Sequence, residues 1–339
     1  FFFVLVFMVL LVVRAAPRAA PALVRAWSGG LCAGLTLGAL GLLIEVLADQ
    51  PLVRFLISYL PVFLESRHAV LKDGWVAHLP AYRPNRATLV IALSLWPALL
   101  IVFAAGFARW KKAALYAASF AGIVAIGFSE HETSKLAVAG SAIIFLIGRF
   151  SLAAARGLVV AGWFAATALV VPIASTAYAT GLHRIPWVPY SARDRIVIWQ
   201  TTAENVARAP ILGAGIGAAR AHEELSRPGP RAGLTKRLSL HSHNAYLQTW
   251  FEAGAVGAGL LFAAGLLIVG VIGVAPLQSQ VYLYAAFAAS ALMVATGYSI
   301  WAPWLMASLA LVPALAAVGV SLIKGEKAPD TRHGDKRRH

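Results

Sequence analysis

The chain has 339 residues, of which 60% are hydrophobic and only 13% charged, and its mean hydropathy is +0.74. A water-soluble globular domain carries about a quarter of its residues charged, so that class is excluded and the bilayer becomes the main solvent. The net charge of +15 is scattered between apolar runs with no recognisable nucleic-acid-binding module, which excludes nucleic acid as a partner and leaves anionic lipid or a phosphorylated substrate.

Roughly 20 apolar residues cross the hydrocarbon core as one helix. In chain order, spans are predicted over 1–13, 30–48, 87–107, 113–128, 136–148, 157–177, 253–274, 281–298 and 303–323. The first opens inside an apolar run without Met or a basic leader, so it is read as a truncated helix with further spans expected upstream. The run 136–148 is short and needs both flanks, and 52–64, interrupted by Arg54 and Pro61, suits a helix lying in the interface. The expected fold class is an all-α polytopic membrane protein, a transmembrane helix bundle with about nine visible spans and one long helical outer loop. Residues 1–177 hold spans and an outer loop at 49–86, 178–243 form the large loop, 244–323 the C-terminal spans, and 324–339 a basic cytoplasmic tail that adjoins anionic lipid headgroups.

Short basic loops prefer the cytoplasm. Alternating the spans puts Arg14, Arg18 and Arg25, then Arg109, Lys111 and Lys112, then Arg149 and Arg156, and finally the tail on one side, taken as cytoplasmic. Residues 49–86, the turn 129–135 and the loop 178–243 fall opposite. The five basic residues of 49–86 strain this rule. The 66-residue loop, with nine Arg or Lys against four Asp or Glu, is long enough to cross regardless of charge, and its basicity suits an anionic ligand.

The clearest local pattern is His243-Asn244, nine residues, then Gly254-Ala-Val-Gly257. If the stretch is helical, His243 and Gly254 lie within about 20° of one another in azimuth, on one face with Gly257, where a neighbouring helix can approach. A histidine there can take a proton from a hydroxyl, or can simply be satisfied by backbone. His241 stands two residues earlier; without a nearby Cys or carboxylate the pair makes a poor zinc site, so no metal and no cofactor are expected. Arg195 opens a predicted helix that runs to about Arg208 before Pro210 stops it, and its guanidinium can grip phosphate oxygens bidentately or stay solvated. Arg193 and Asp194 offer a structural ion pair. Pro210-Ile-Leu-Gly213-Ala-Gly215 lacks dinucleotide-binding spacing and reads as a flexible turn. The turn 129–135 sets several polar side chains between two spans, either solvated or near a cavity.

His243-Asn244-x9-Gly254-x-x-Gly257 resembles the signature of the bacterial O-antigen ligase and polymerase-like family, in its ligase spacing. Arg195-x-x-x-Trp199 followed by Pro210-x-x-Gly213-x-Gly215 is similar to that family's loop upstream of the histidine. The resemblance covers about residues 129–260. It implies transfer of a glycan from undecaprenyl diphosphate to a hydroxyl of the lipid A core at the periplasmic face of the bacterial inner membrane, without metal or nucleotide. It makes His243 the general base and Arg195 the group that holds the diphosphate, with Lys135, His241, Asn244, Arg193 and Trp199 as substrate-binding candidates. Where members carry Ser-Arg this chain has Ser134-Lys135, a point charge without the guanidinium fork. The alternatives are a polymerase or protein O-oligosaccharyltransferase using the same donor, and a membrane transporter.

Overall fold

The computed structural model describes residues 10–59, 70–72, 75–218 and 242–326. The expected span 1–13 and the proximal tail are therefore seen only in part, and His241 lies outside the described residues. The order is helical from residue 10 to 15 and a 3-10 turn (Ala16–Arg18), then α1 (Pro21–Leu47), α2 (Pro51–Tyr59), β1 (Val70–Lys72), β2 (Trp75–His78), α3 (Asn85–Ala104), α4 (Arg109–Phe128) and α5 (Glu132–Phe150). There follow α6 (Leu152–Ala168), α7 (Val170–Ala179), α8 (Tyr190–Val206), α9 (Ala245–Gly273), α10 (Leu277–Thr296) and α11 (Pro303–Glu326). Among the described residues seven helices are long and apolar enough to cross a membrane, or eight if the bent pair α6–α7 is one span. Large apolar side chains face outward along them, as at Leu37, Phe120 and Leu267, each about two-thirds exposed or more, as lipid contact requires.

The helical class and the span positions agree with the sequence reading, and α5 borrows residues from both flanks of 136–148 as expected. Three features differ. The span predicted at 157–177 is not one straight helix: α6 and α7 meet at 73°. Leu169 between them leaves helical geometry (φ −104°, ψ 3°), and Pro172, without an amide hydrogen and with a ring that crowds the preceding turn, prevents one continuous ladder. A short antiparallel hairpin, β1–β2, lies between α2 and α3, where the described residues are otherwise mostly helical. It is braced by α2, whose Ile57 packs with Val76 and Leu79, while Arg54 donates to the Val76 carbonyl at 2.7 Å and pairs with Asp49. The charge that interrupts 52–64 thus anchors the hairpin, and α2 covers 52–59 of that run. The third difference is a break in α9, described below.

The chain divides into two compact units. In one, made of residues 1–134, 275–286 and 307–339, α1 packs on α3 and α4 around Val24, Cys32, Ile101, Val102, Leu315 and Val318. In the other, residues 135–274 and 287–306, α6 and α8 pack on α9, with a core of Trp163, Val170, Ala203, Tyr246, Leu247 and Phe251. Trp163 lies edge-on to Tyr246, and a Cβ at Gly265 would enter its indole, so the small residue admits the large one. Every group discussed in the candidate site belongs to this second unit.

Candidate active site

His243 is not on a helix. It sits just ahead of α9 in the left-handed region, φ 54°, which few non-glycine residues adopt. The turn is clasped by its neighbours: the Ser242 hydroxyl donates to the Asn244 carbonyl at 2.7 Å and accepts from the Asn244 amide at 3.3 Å. Asn244 is the N-cap, its side-chain oxygen accepting from the Leu247 amide at 3.0 Å. The imidazole Nδ1 lies 3.2 Å from the Gly297 carbonyl oxygen. A carbonyl only accepts, so Nδ1 carries the hydrogen and Nε2 is the basic nitrogen of the neutral ring.

The shared helical face of His243 and Gly254 is overturned, because the helix begins after His243 and breaks at Gly254. Gly254 has φ 61° and ψ −158°, a conformation essentially closed to other residues. Into the break goes the loop after α8. The Ala214 amide donates to the Phe251 carbonyl and the Gly215 amide to that of Glu252, while the Ala255 and Val256 amides donate to the carbonyls of Pro210 and Ile211. In an unbroken helix Phe251 would pair with Ala255 and Glu252 with Val256. All four orphaned groups are thus taken over by the loop, where each left bare in an apolar setting would cost several kcal/mol. The approach demands glycine on both sides. A Cβ on Gly254 would meet the Ile211 carbonyl, and one on Gly213, itself at φ 73°, would meet Glu252 and Ala253 backbone. Pro210-x-x-Gly213-x-Gly215 is therefore a fixed clasp, not the flexible turn expected, and Gly257 faces Thr249 and Ala253 of its own chain segment rather than a neighbouring helix.

Arg195 is half-buried on α8. Burial pulls its guanidinium below the usual pKa, and nearby Tyr298 and Asp194 act in the opposite sense. Tyr298 follows Gly297 in the connection between α10 and α11, so His243 and Arg195 both adjoin one short segment. Arg193 does not pair with Asp194; its guanidinium lies 5.8 Å from the Tyr190 ring centre, and its buried Nε has no acceptor. Trp199 packs against the core around Trp163, and its buried Nε1 also lacks an acceptor. Lys135 is half-buried in the first turn of α5. Asn244 is buried and spends its side-chain Oδ1 on the cap.

Sequence reasoning missed a buried polar network one turn into α9. The Trp301 indole donates to Glu252 Oε2 at 2.6 Å; Gln248 Nε2 donates to Glu252 Oε1 at 2.9 Å and lies 3.2 Å from Ser299 Oγ. Gln248 and Glu252, four residues apart in an apolar stretch, were the available signal, since such polar pairs on one helical face are seldom idle. Among the described residues no three His, Cys, Asp or Glu side chains gather as a metal would need.

The fold and these contacts define a multi-pass membrane protein with a histidine and an arginine set against one inter-span connection. A family model described as O-Antigen ligase matches residues 117–262, which contain the turn of His243, the clasp and the break in α9. Over that region the chain is O-antigen ligase-like. A Rickettsia prowazekii (strain Madrid E) protein bearing the provisional name polysaccharide ligase is 26% identical over 206 residues. That stretch is 58% of this chain and 49% of the relative, so the chain spans about half the length of the curated protein it matches.

Proposed function

We propose that this protein transfers a glycan from undecaprenyl diphosphate to a hydroxyl of the lipid A core at the periplasmic face of the inner membrane, with His243 as general base. The observation that carries the reading is the strained turn at His243, whose Nδ1–H donates to the Gly297 carbonyl and so presents Nε2 as the proton acceptor. Nε2 takes the proton of the acceptor hydroxyl as its oxygen attacks the anomeric carbon. The bond to the diphosphate breaks, and Arg195 meets the negative charge that gathers on the departing lipid diphosphate. Desolvation strengthens that interaction, which fits the half-buried setting of Arg195. The acceptor-less donors Arg193 Nε and Trp199 Nε1 suit an oxygen-rich ligand, and Lys135 is a further candidate cation for the donor. Counting spans from the basic connections supports a non-cytoplasmic side for the turn of His243, the α10–α11 connection and the start of α5.

The test is reconstitution of purified protein with undecaprenyl-diphosphate-linked glycan and lipid A core, without added metal or nucleotide. Wild type is expected to form glycan-capped lipid. His243→Ala should lose at least ~100-fold in rate, the ordinary worth of a general base, and Arg195→Ala a comparable amount. Normal turnover by His243→Ala would refute the base assignment. Product formed only on a peptide hydroxyl or on another glycan would reassign the acceptor.

A further inference from the structure

Glu252 stands where three parts of the unit meet. Its carbonyl accepts from Gly215 of the clasp, it lies two residues before the break in α9, and its buried carboxyl group, 4% exposed, holds the α10–α11 connection. The hold is two-sided: Oε2 accepts from the Trp301 indole, and Oε1 from Gln248, which itself receives the Ile300 amide at 3.4 Å and approaches Ser299. Ser299 Oγ accepts the Trp301 amide at 3.2 Å, closing the ring of contacts. Two residues before Ser299, the Gly297 carbonyl receives His243 Nδ1–H.

We propose that Glu252 is a positioning residue for the transfer reaction, fixing segment 297–301 against α9 and thereby the orientation of the His243 ring. This rests on His243 being the base. The carboxyl group is chemically required. The indole nitrogen and the Gln248 amide nitrogen are both donors, so residue 252 must present two acceptors. A glutamine there has the same volume but one oxygen, and whichever way it turns, one donor faces an N–H. One tether is lost while the shape is kept. Releasing the segment lets the Gly297 carbonyl drift, and a misplacement of about 1 Å in a reacting group can cost up to ~100-fold. Arg195 is carried by α8 and only borders the segment, at Tyr298, so donor capture suffers less than turnover.

Wild type, Glu252→Gln, Trp301→Phe, the double variant and His243→Ala are compared as purified proteins with undecaprenyl-diphosphate-linked glycan and lipid A core. Each single network variant is expected to lower kcat about tenfold with donor KM held within about twofold, the signature of a lost positioning interaction. The double variant should be no slower than the slower single, because with the indole gone the amide oxygen of residue 252 is free to face Gln248 and only the Trp301 tether is missing. Unchanged kcat in folded Glu252→Gln or in Trp301→Phe, a rise in KM at constant kcat, or losses that multiply in the double variant would overturn the proposal. Trp301 is 42% exposed, so its substitution is gentle and carries the test should Glu252→Gln fail to fold. If His243→Ala turns over normally, the base assignment itself falls; if it is inactive and the network variants are normal, only the role of Glu252 falls.

Discussion

At the scale of single residues, the backbone of His243 is the most telling feature of the site. A left-handed non-glycine residue costs roughly 1–3 kcal/mol and persists only where surrounding contacts over-determine it. Here the Ser242 hydroxyl grips both backbone groups of Asn244, and the Gly297 carbonyl holds the ring. The turn is therefore held in a strained form by its contacts, and the strain is measurable apart from activity. His243→Gly and His243→Ala both remove the imidazole, but only glycine tolerates φ 54° freely. The glycine variant should melt higher than the alanine variant, by the equivalent of about 1 kcal/mol. Equal melting temperatures would mean that the turn carries no strain.

At the scale of elements, the break in α9 governs how α8 is attached. A helix with an interrupted ladder would ordinarily expose its freed groups, and the inserted backbone of residues 210–215 satisfies all four. Gly254→Ala is expected to fail twice, through its backbone conformation and through collision with Ile211, so folded protein should fall sharply in membranes, whereas Gly259→Ala, with open space at its Cβ, should accumulate normally. Accumulation of Gly254→Ala at the level of wild type would refute the clasp. The same element marks the limit of what the amino-acid order reveals. Nearly every span could be read from apolar runs, because hydrocarbon leaves the backbone few alternatives. The residues His243, Asn244, Gly254, Pro210 and Gly213 could be picked out too, but not their reasons. A pattern eleven residues long looks helical whether or not a glycine breaks it, and no local periodicity announces that a distant Pro-Gly loop will supply the missing partners. The bend at Leu169 was hinted at by Pro172. The hairpin at Val70–His78 was concealed by its shortness, and the network at Glu252 by the assumption that the site ended at the loop.

For the whole molecule, the orientation proposed from the basic connections can be checked directly. In a Cys32→Ser background, a cysteine at exposed Ser191 beside Arg193 should react with a membrane-impermeant maleimide in intact inner-membrane spheroplasts, and one at exposed Lys111 only after lysis. The reverse pattern would move the proposed reaction to the cytoplasmic face.

The break in α9 also bears on bilayer thickness. Its 29 residues would measure about 43 Å if continuous, well beyond a hydrocarbon core of ~30 Å. The nineteen residues after Gly254 measure about 28 Å, close to that core, and the part ahead of it is left for the headgroup zone. The break thus acts as a depth gauge. For the proposed reaction it would set His243 at headgroup level, where a lipid-linked donor and a lipid acceptor would reach it by lateral diffusion in one leaflet. Hydrophobic mismatch would then tune the proposed reaction: a thicker membrane draws the turn of His243 toward oil, a thinner one lifts it off the plane the two proposed substrates would share.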